Sequence, residues 1–350
     1  MLLSIQACRG IAALLVVLYH LNTEIFHRQK YFPGRPFGQI FDFSHAGVEF
    51  FFVLSGFIIV FAHGRDIGRV DQLARYLWRR FQRIYPIYWV VLVGVASIYF
   101  TVPSFGKGYE TDPVTILSSF TLVYADGNTV VAVAWTLYHE VLFYAAFAAL
   151  IWNRTAGLVL FGAWGVGIVV FHAISPDATS FIRFVASPMN LLFPLGMLSA
   201  VVYRSGVKLP AGTVAAVGAL VFLACGAAEL VYGRSKAGPL LYGLGSALLI
   251  VGLGRLEATA RIRIPRILVF LGAASYSIYL THFPLLSLFG KVAVAAGLRS
   301  VPEWLSFLLI GAVTVAVGCA FHAVIERPLL RWIGNIRKAS GPHPQPAQTR

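Results

Sequence analysis

The chain has 350 residues, 58% of them hydrophobic and 12% charged, with a formal net charge of +14. Soluble domains run at about 45–50% apolar and about 25% charged. A mean hydropathy of +0.76 therefore leaves too little polar surface to coat a soluble particle, and it excludes secreted disulfide scaffolds, disordered chains and nucleic-acid-binding domains. The basic excess is what a polytopic membrane protein carries in its cytoplasmic loops. Cys8, Cys225 and Cys319 lie far apart, in or beside apolar runs, and form no metal-ligand spacing. The composition is that of an all-α polytopic membrane protein.

A bilayer core of ~30 Å takes about 20 apolar helical residues. On that ruler ten spans are expected, near 8–24, 46–63, 84–103, 130–152, 156–174, 184–203, 209–231, 237–254, 267–290 and 302–325. The opening MLLSIQACRG enters the first apolar run without a small-residue cleavage site and reads as a retained span. No segments alternate with period two between turns, as a membrane β-barrel requires. The loop 25–45 is rich in aromatics, Pro and Gly. Residues 70–84 place Leu73, Leu77, Phe81 and Ile84 on one helical face and Arg75, Arg79 and Arg83 on another. That pattern predicts an amphipathic surface helix running into span three through Pro86. The loop 104–129 contains VTILSSFTLVY, too short to cross and expected to be re-entrant or interfacial. Residues 336–350, Pro-rich beyond Lys338, read as a disordered tail. With the N-terminus inside, the inner segments collect most of the 28 Lys and Arg residues but only Asp66, Asp71, Glu257 and Glu326 among the acids. Such a bias places both termini in the cytoplasm.

A charge at the centre of a membrane helix costs about 2.5–3.5 kcal/mol on insertion scales, so each intramembrane ionisable residue asks for a reason. Arg9 and His20 sit three turns apart on one face of span one, separated by about 16 Å of rise. Glu49 lies one turn into span two and descends from the side that His20 approaches, which predicts a Glu49–His20 dyad. Arg80 and Arg83, at i,i+3, form a fork able to hold phosphate oxygens; anchoring to lipid head groups is the plainer alternative. Glu140 lies near mid-membrane in AWTLYHEVLFY, with Tyr144 on its face. Ser275 and His282 share a face of span nine. Together these residues describe a passage with arginines at its cytoplasmic mouth and histidines and carboxylates deeper in. The pattern suits an anionic cytoplasmic donor whose reactive end meets an acceptor near the outer leaflet.

The series RGIAALLVVLYH, GVEFFFVLSGFII, RRFQRIYPIYW, AWTLYHEVLFY, SYSIYLTHFPLL and ERPLLRW closely resembles the acyltransferase-3 family of bacterial inner-membrane acyltransferases, and the opening looks most like its exopolysaccharide-production branch. The resemblance runs from the first span to the Glu-x-Pro at Glu326 and Pro328, within a single transmembrane domain over residues 1–335. It implies transfer of an acyl group, commonly acetyl from acetyl-CoA, to a hydroxyl of an envelope carbohydrate. Arg9 and His20 match the family's Arg-x10-His signature, Arg80 and Arg83 its Arg-x-x-Arg motif, and Glu140 the acid of its WSLSVE-like motif. Glu49 stands where many members have Asp. His139 departs from the pattern and is assigned no role.

The expected chemistry follows from that array. Arg80, Arg83 and Arg9 would bind the phosphates of acyl-CoA, with no metal required. His20, oriented by Glu49, would act as general base on the acceptor hydroxyl, and Glu140 and His282 complete the catalytic set. Ser275, Tyr276, Trp135 and Tyr144 are candidates for holding the oxyanion or the substrate. Expected partners are acyl-CoA, a polymeric or lipid-linked carbohydrate and membrane lipid, at a multi-pass inner-membrane location. A proton-coupled transporter or flippase for a saccharide or lipid intermediate is the alternative, since carriers also use intramembrane His and Glu. A third reading is a structural subunit of a polysaccharide synthase.

Overall fold

The computed structural model describes residues 2–27, 31–125, 127–174, 177–208 and 210–339. In chain order the helices are α1 (Leu3–His20), α2 (Gly47–His63), α3 (Leu73–Thr101), α4 (Pro113–Thr121), α5 (Trp135–Trp152), α6 (Arg154–Ile174), α7 (Ser180–Val185), α8 (Leu192–Arg204), α9 (Ala211–Tyr232), α10 (Gly238–Ala258), α11 (Arg266–Ala295), α12 (Glu303–Phe321) and α13 (Arg327–Ala339). Among the described residues there is no strand, and ten helical segments are long and apolar enough to cross a membrane. These ten match the expected spans one for one. The protein is an all-α polytopic membrane protein.

Helices in lipid gain nothing from hiding apolar surface, so close packing through small residues takes over. Here α1 lies along α11 and α2 along α8. A Cβ on Gly272 would stand 1.7 Å from the Gln6 carbonyl oxygen, and one on Gly196 would stand 1.8 Å from that of Val53. Both crossings therefore require glycine. The α1–α11 contact matters most for the site, because it fixes the register between the helix that carries Arg9 and His20 and the one that carries Ser275 and His282. Helices α2 and α5 are the most enclosed of the spans, and α6 is the most lipid-facing.

The expected surface helix and span three form one continuous helix, α3, entered by a short turn at Val70–Gln72 and containing Pro86. Its 29 residues cover about 43 Å at 1.5 Å each, more than the ~30 Å of hydrocarbon. The turns that carry Arg80 and Arg83 thus project toward one rim. The stretch VTILSSFTLVY contains the nine-residue α4, capped by Asp112, whose carboxylate accepts from Thr115 N at 2.9 Å. Its terminal carbonyls, which a helix end leaves without intrahelical partners, accept from Tyr85, Tyr88 and Trp89 of α3 at 2.8, 2.8 and 2.9 Å. Those donors lie at least twelve residues before the end of α3, about 18 Å of rise. The segment thus folds back alongside α3, inside the length of that helix. The chain then returns through buried Val130, Val131, Val133 and Ala134, irregular backbone that a membrane tolerates because protein covers it.

At the C-terminal end a π-helical turn, His322–Glu326, joins α12 to α13. Helix α13 reaches Ala339, so the first four residues assigned to a disordered tail are helical. The rest of that tail, from residue 340, lies outside the described residues.

Candidate functional site

A cavity opens between α1, α2, α3, α5 and α11. Its lining brings together Arg9, Arg80, Arg83, Glu140, Tyr144, Ser275 and Tyr276, residues drawn from four separate helices. Ser55, Thr136 and Tyr279 line it as well; as isolated hydroxyl-bearing residues in apolar runs, they gave no signal in the sequence.

Arg9 is buried, with Nη1 donating to Gln6 Oε1 at 3.1 Å. Arg80 is held by aromatic faces, its guanidinium carbon 5.4 Å from the Tyr144 ring centre and 5.9 Å from that of Tyr76. It also donates from Nη2 to His63 Nε2 at 3.4 Å. The other ring nitrogen of His63 donates to Asp66 Oδ2 at 2.8 Å, which leaves Nε2 as the acceptor that Arg80 needs. The guanidinium carbon of Arg83 lies 5.3 Å over the Tyr276 ring. Cation–π seats of this kind orient an arginine without consuming its donors. The single carboxylate in the lining, Glu140, accepts from Ser55 Oγ at 3.2 Å and from the Tyr144 hydroxyl through a short contact. Three guanidinium groups against one carboxylate leave the lining cationic, with planar donors suited to phosphate.

His20 and His282 meet across the α1–α11 interface, with His282 Nε2 3.2 Å from His20 Nδ1. Their tautomers follow from their neighbours. His282 Nδ1 lies 2.6 Å from the Tyr279 carbonyl, which can only accept, so that nitrogen carries the proton and Nε2 carries the lone pair. His20 Nδ1 then donates to His282, as it does to the Val16 carbonyl at 3.0 Å. The lone pair of His20 is thereby placed on Nε2, the arrangement a general base requires. His282 is completely buried, whereas His20 is half-buried beside Tyr19 and Phe283. Tyr279 connects this pair to the cavity: it lines the cavity, and its ring centre lies 5.7 Å from that of His282.

The expected Glu49–His20 dyad does not form. Glu49 Oε1 lies 3.3 Å from His45 Nδ1, and His45 Nε2 lies 2.9 Å from Glu229 Oε1. The cause is helical phase. Val48, Phe51, Phe52 and Ser55 of α2 face the cavity, and Glu49, one position on from Val48, is turned about 100° away. Glu229 also accepts from Tyr242 at 2.8 Å and from Arg234 Nε at 3.1 Å, and Arg234 Nη2 donates to the Tyr19 hydroxyl at 2.9 Å. The sequence pattern did not point to this network, although Glu229 near the end of an apolar span was a visible signal.

Ser275 and Tyr276 line the cavity and precede His282 by seven and six residues on α11, about 10 and 9 Å of rise. Tyr276 also spends its hydroxyl on the Ile84 carbonyl at 2.8 Å. Trp135 is outside the cavity lining and packs against Phe52 and His139. His139, assigned no role, is paired with Asn190 Oδ1 at 2.8 Å. A second missed cluster joins buried Glu326 to Ser277 at 2.6 Å and to His322 at 2.7 Å. Among the described residues no group of His, Cys, Asp and Glu could hold a metal ion.

Residues 2–323 match the family described as "Acyltransferase domain". The chain is similar to the exopolysaccharide production protein ExoZ of Rhizobium meliloti, at 31% identity over 84% of this chain and 92% of the relative. It is similar to the acyltransferase MdmB of Streptomyces mycarofaciens, at 26% identity over 97% and 95% of the two chains. It also resembles the peptidoglycan O-acetyltransferase OatA of Listeria monocytogenes, at 25% identity over 93% of this chain and 55% of the relative. No solved structure matches the chain.

Proposed function

The chain belongs to the acyltransferase-3 family and is an O-acyltransferase, and from that premise we propose that it moves an acyl group, acetyl in the simplest case, from cytoplasmic acyl-CoA to a hydroxyl of an exopolysaccharide or another envelope glycan. The observation that carries this reading is the polarity of one helix. Arg9 lines a cationic cavity, and His20, eleven residues on and about 16 Å away along α1, presents an unprotonated nitrogen. A coenzyme held by its phosphates at Arg9, Arg80 and Arg83 would extend its pantetheine arm along that distance. The Arg9 end of the bundle faces the cytoplasm in this reading, and with it both termini, in the inner membrane.

In the transfer step His20 Nε2 takes the proton of the acceptor hydroxyl as its oxygen attacks the thioester carbon. The tetrahedral oxyanion collapses, the carbon–sulfur bond breaks, and the imidazolium of His20 returns the proton to the leaving thiolate. The products are the O-acyl ester and the free thiol of CoA. During this exchange His282, fixed by the Tyr279 carbonyl, accepts from the Nδ1–H of His20 and stabilises its charged form. Glu140 acts at the phosphate end, where with Ser55 and Tyr144 it sets the positions of the groups around the arginines.

The test is transfer in liposomes containing the purified chain, with radiolabelled acetyl-CoA on the arginine side and a candidate glycan on the other. Label is expected on the glycan with wild type and not with His20→Ala. Equal labelling by both proteins would remove His20 from catalysis, and glycan movement without acylation would identify a carrier.

A further inference from the structure

Between the arginines and the histidine pair, the cavity wall carries one hydroxyl with no work to do. Ser275 is 1% exposed and lines the cavity, and its Oγ has no hydrogen-bond partner among the described residues. The neighbouring hydroxyls are all engaged. Tyr276 donates to the Ile84 carbonyl at 2.8 Å, Tyr279 and Thr136 pair at 2.8 Å, and Ser55 and Tyr144 donate to Glu140. A buried serine inside a helix ordinarily returns its hydroxyl to the carbonyl one turn back, as Thr281 does to Ser277 at 2.8 Å and Ser246 does to Tyr242 at 2.7 Å. Ser275 does not. An unmade hydrogen bond at a buried hydroxyl is unfavourable, and a ligand in the cavity would relieve it.

We infer that Ser275 is the amide-binding subsite for the pantetheine arm of the donor, an inference that rests on the acyl-CoA reading above. The arm is apolar except for two secondary amides and one hydroxyl, and a serine can serve either side of an amide, donating to its C=O or accepting from its N–H. Position selects which amide. Ser275 is seven residues from His282 on α11, about 10 Å of rise, so a thioester sulfur at the histidine pair sets the amide farther from the sulfur beside Ser275. The nearer amide then falls at the level of Tyr279. Phe51, Leu54 and Leu137 also line the cavity, apolar surface that suits the methylenes between the amides. Ser275 is thus a specificity residue for the arm, distinct from the arginines that read the phosphates.

Two probes separate these contributions: CoA, which has the arm, and adenosine 3′,5′-bisphosphate, which shares the phosphorylated nucleoside end but lacks the arm. Equilibrium binding of each to the purified full chain in nanodiscs is measured for wild type, Ser275→Ala and Arg83→Ala. The alanine variant at Ser275 should bind CoA about three- to tenfold more weakly, the range of one hydrogen bond, and bind the bisphosphate as wild type does, which also certifies its fold. Arg83→Ala should weaken both probes. Unchanged CoA affinity in Ser275→Ala, or an equal loss for both probes, would overturn the subsite while leaving the donor reading intact. Wild-type protein that binds neither probe would overturn the donor reading and the subsite with it.

Discussion

At the Arg9 end of α1, charge is kept and shared. Three guanidinium groups, a carboxylate and the rings of Tyr76, Tyr144 and Tyr276 that seat the arginines line or flank one cavity, and the excess positive charge waits for an anion. At the His20 end the reactive group is paired with neutral partners: His20 and His282 touch each other and backbone carbonyls, while Glu49 and Glu229 are tied to His45. The contrast teaches how one helix can serve two chemistries. A phosphate site gains from net charge, whereas a base that must pick up a proton gains from a fixed neutral tautomer and an acceptor behind it.

The comparison breaks most visibly at His20. Its replacement by alanine should lower acyl transfer by about 10²–10⁴-fold, the usual worth of a positioned general base, while CoA binding at the other end stays within about twofold, because the phosphate seats do not involve this ring. A transfer assay run beside equilibrium binding reads both quantities. Equal losses in the two would mean that the ends do not divide the labour in this way.

Arg83→Ala should do the converse, with a smaller effect. Loss of a hydrogen bond to a charged group is worth about 1.5–3 kcal/mol, so donor affinity should fall about 10- to 100-fold, and the rate at saturating donor should change little. An unchanged donor affinity would reassign the arginine pair to lipid head groups. His282→Ala sharpens the histidine end with an effect smaller again. The rate should drop by up to about tenfold, the scale of one hydrogen bond, because His20 loses one of the two acceptors of its Nδ1 proton and keeps only the Val16 carbonyl. The pH–rate profile should shift with it, which a purely structural loss would not produce.

Much of this division was legible in the sequence because it lies within single helices. Arg9 and His20 share α1, Arg80 and Arg83 share α3, and Glu140 and Tyr144 share α5, so spacing alone places each pair on one face. The ten spans were legible for the same reason, since apolar run length is a local property. What could not be read was how helices turn toward one another. His20 and His282 were each marked, but their contact joins residues 262 apart, and it depends on the close approach that Gly272 permits. Glu49 was marked and given the wrong partner, because a step of about 100° along α2 decides between the cavity and His45, and no spacing inside α2 reveals which side faces which neighbour. Ser55 lacks charge, and only the cavity around it distinguishes it from other serines; Ser275 was marked by the face it shares with His282, but its unpartnered hydroxyl is visible only in the structure.

The smallest expected effect falls on Glu49, where the two ends of α1 are compared through a residue belonging to neither. Glu49 is 1% exposed and its nearest charged group is His45, so Glu49→Gln removes one side of a buried ion pair at nearly constant volume. The cost belongs to folding, through loss of the 3.3 Å contact with His45, and is read as a slightly lower melting temperature in detergent. Transfer per folded molecule should remain within about twofold of wild type and CoA affinity should not move, since neither His20 nor the arginines touch this carboxylate and effects at separate sites are close to independent. A large fall in the rate with stability unchanged would mean that Glu49 acts on His20 through Tyr19, whose ring lies 5.0 Å from His20 and 5.7 Å from His45. In that case the histidine end would depend on a carboxylate after all, one ring removed, and its contrast with the arginine end would narrow accordingly.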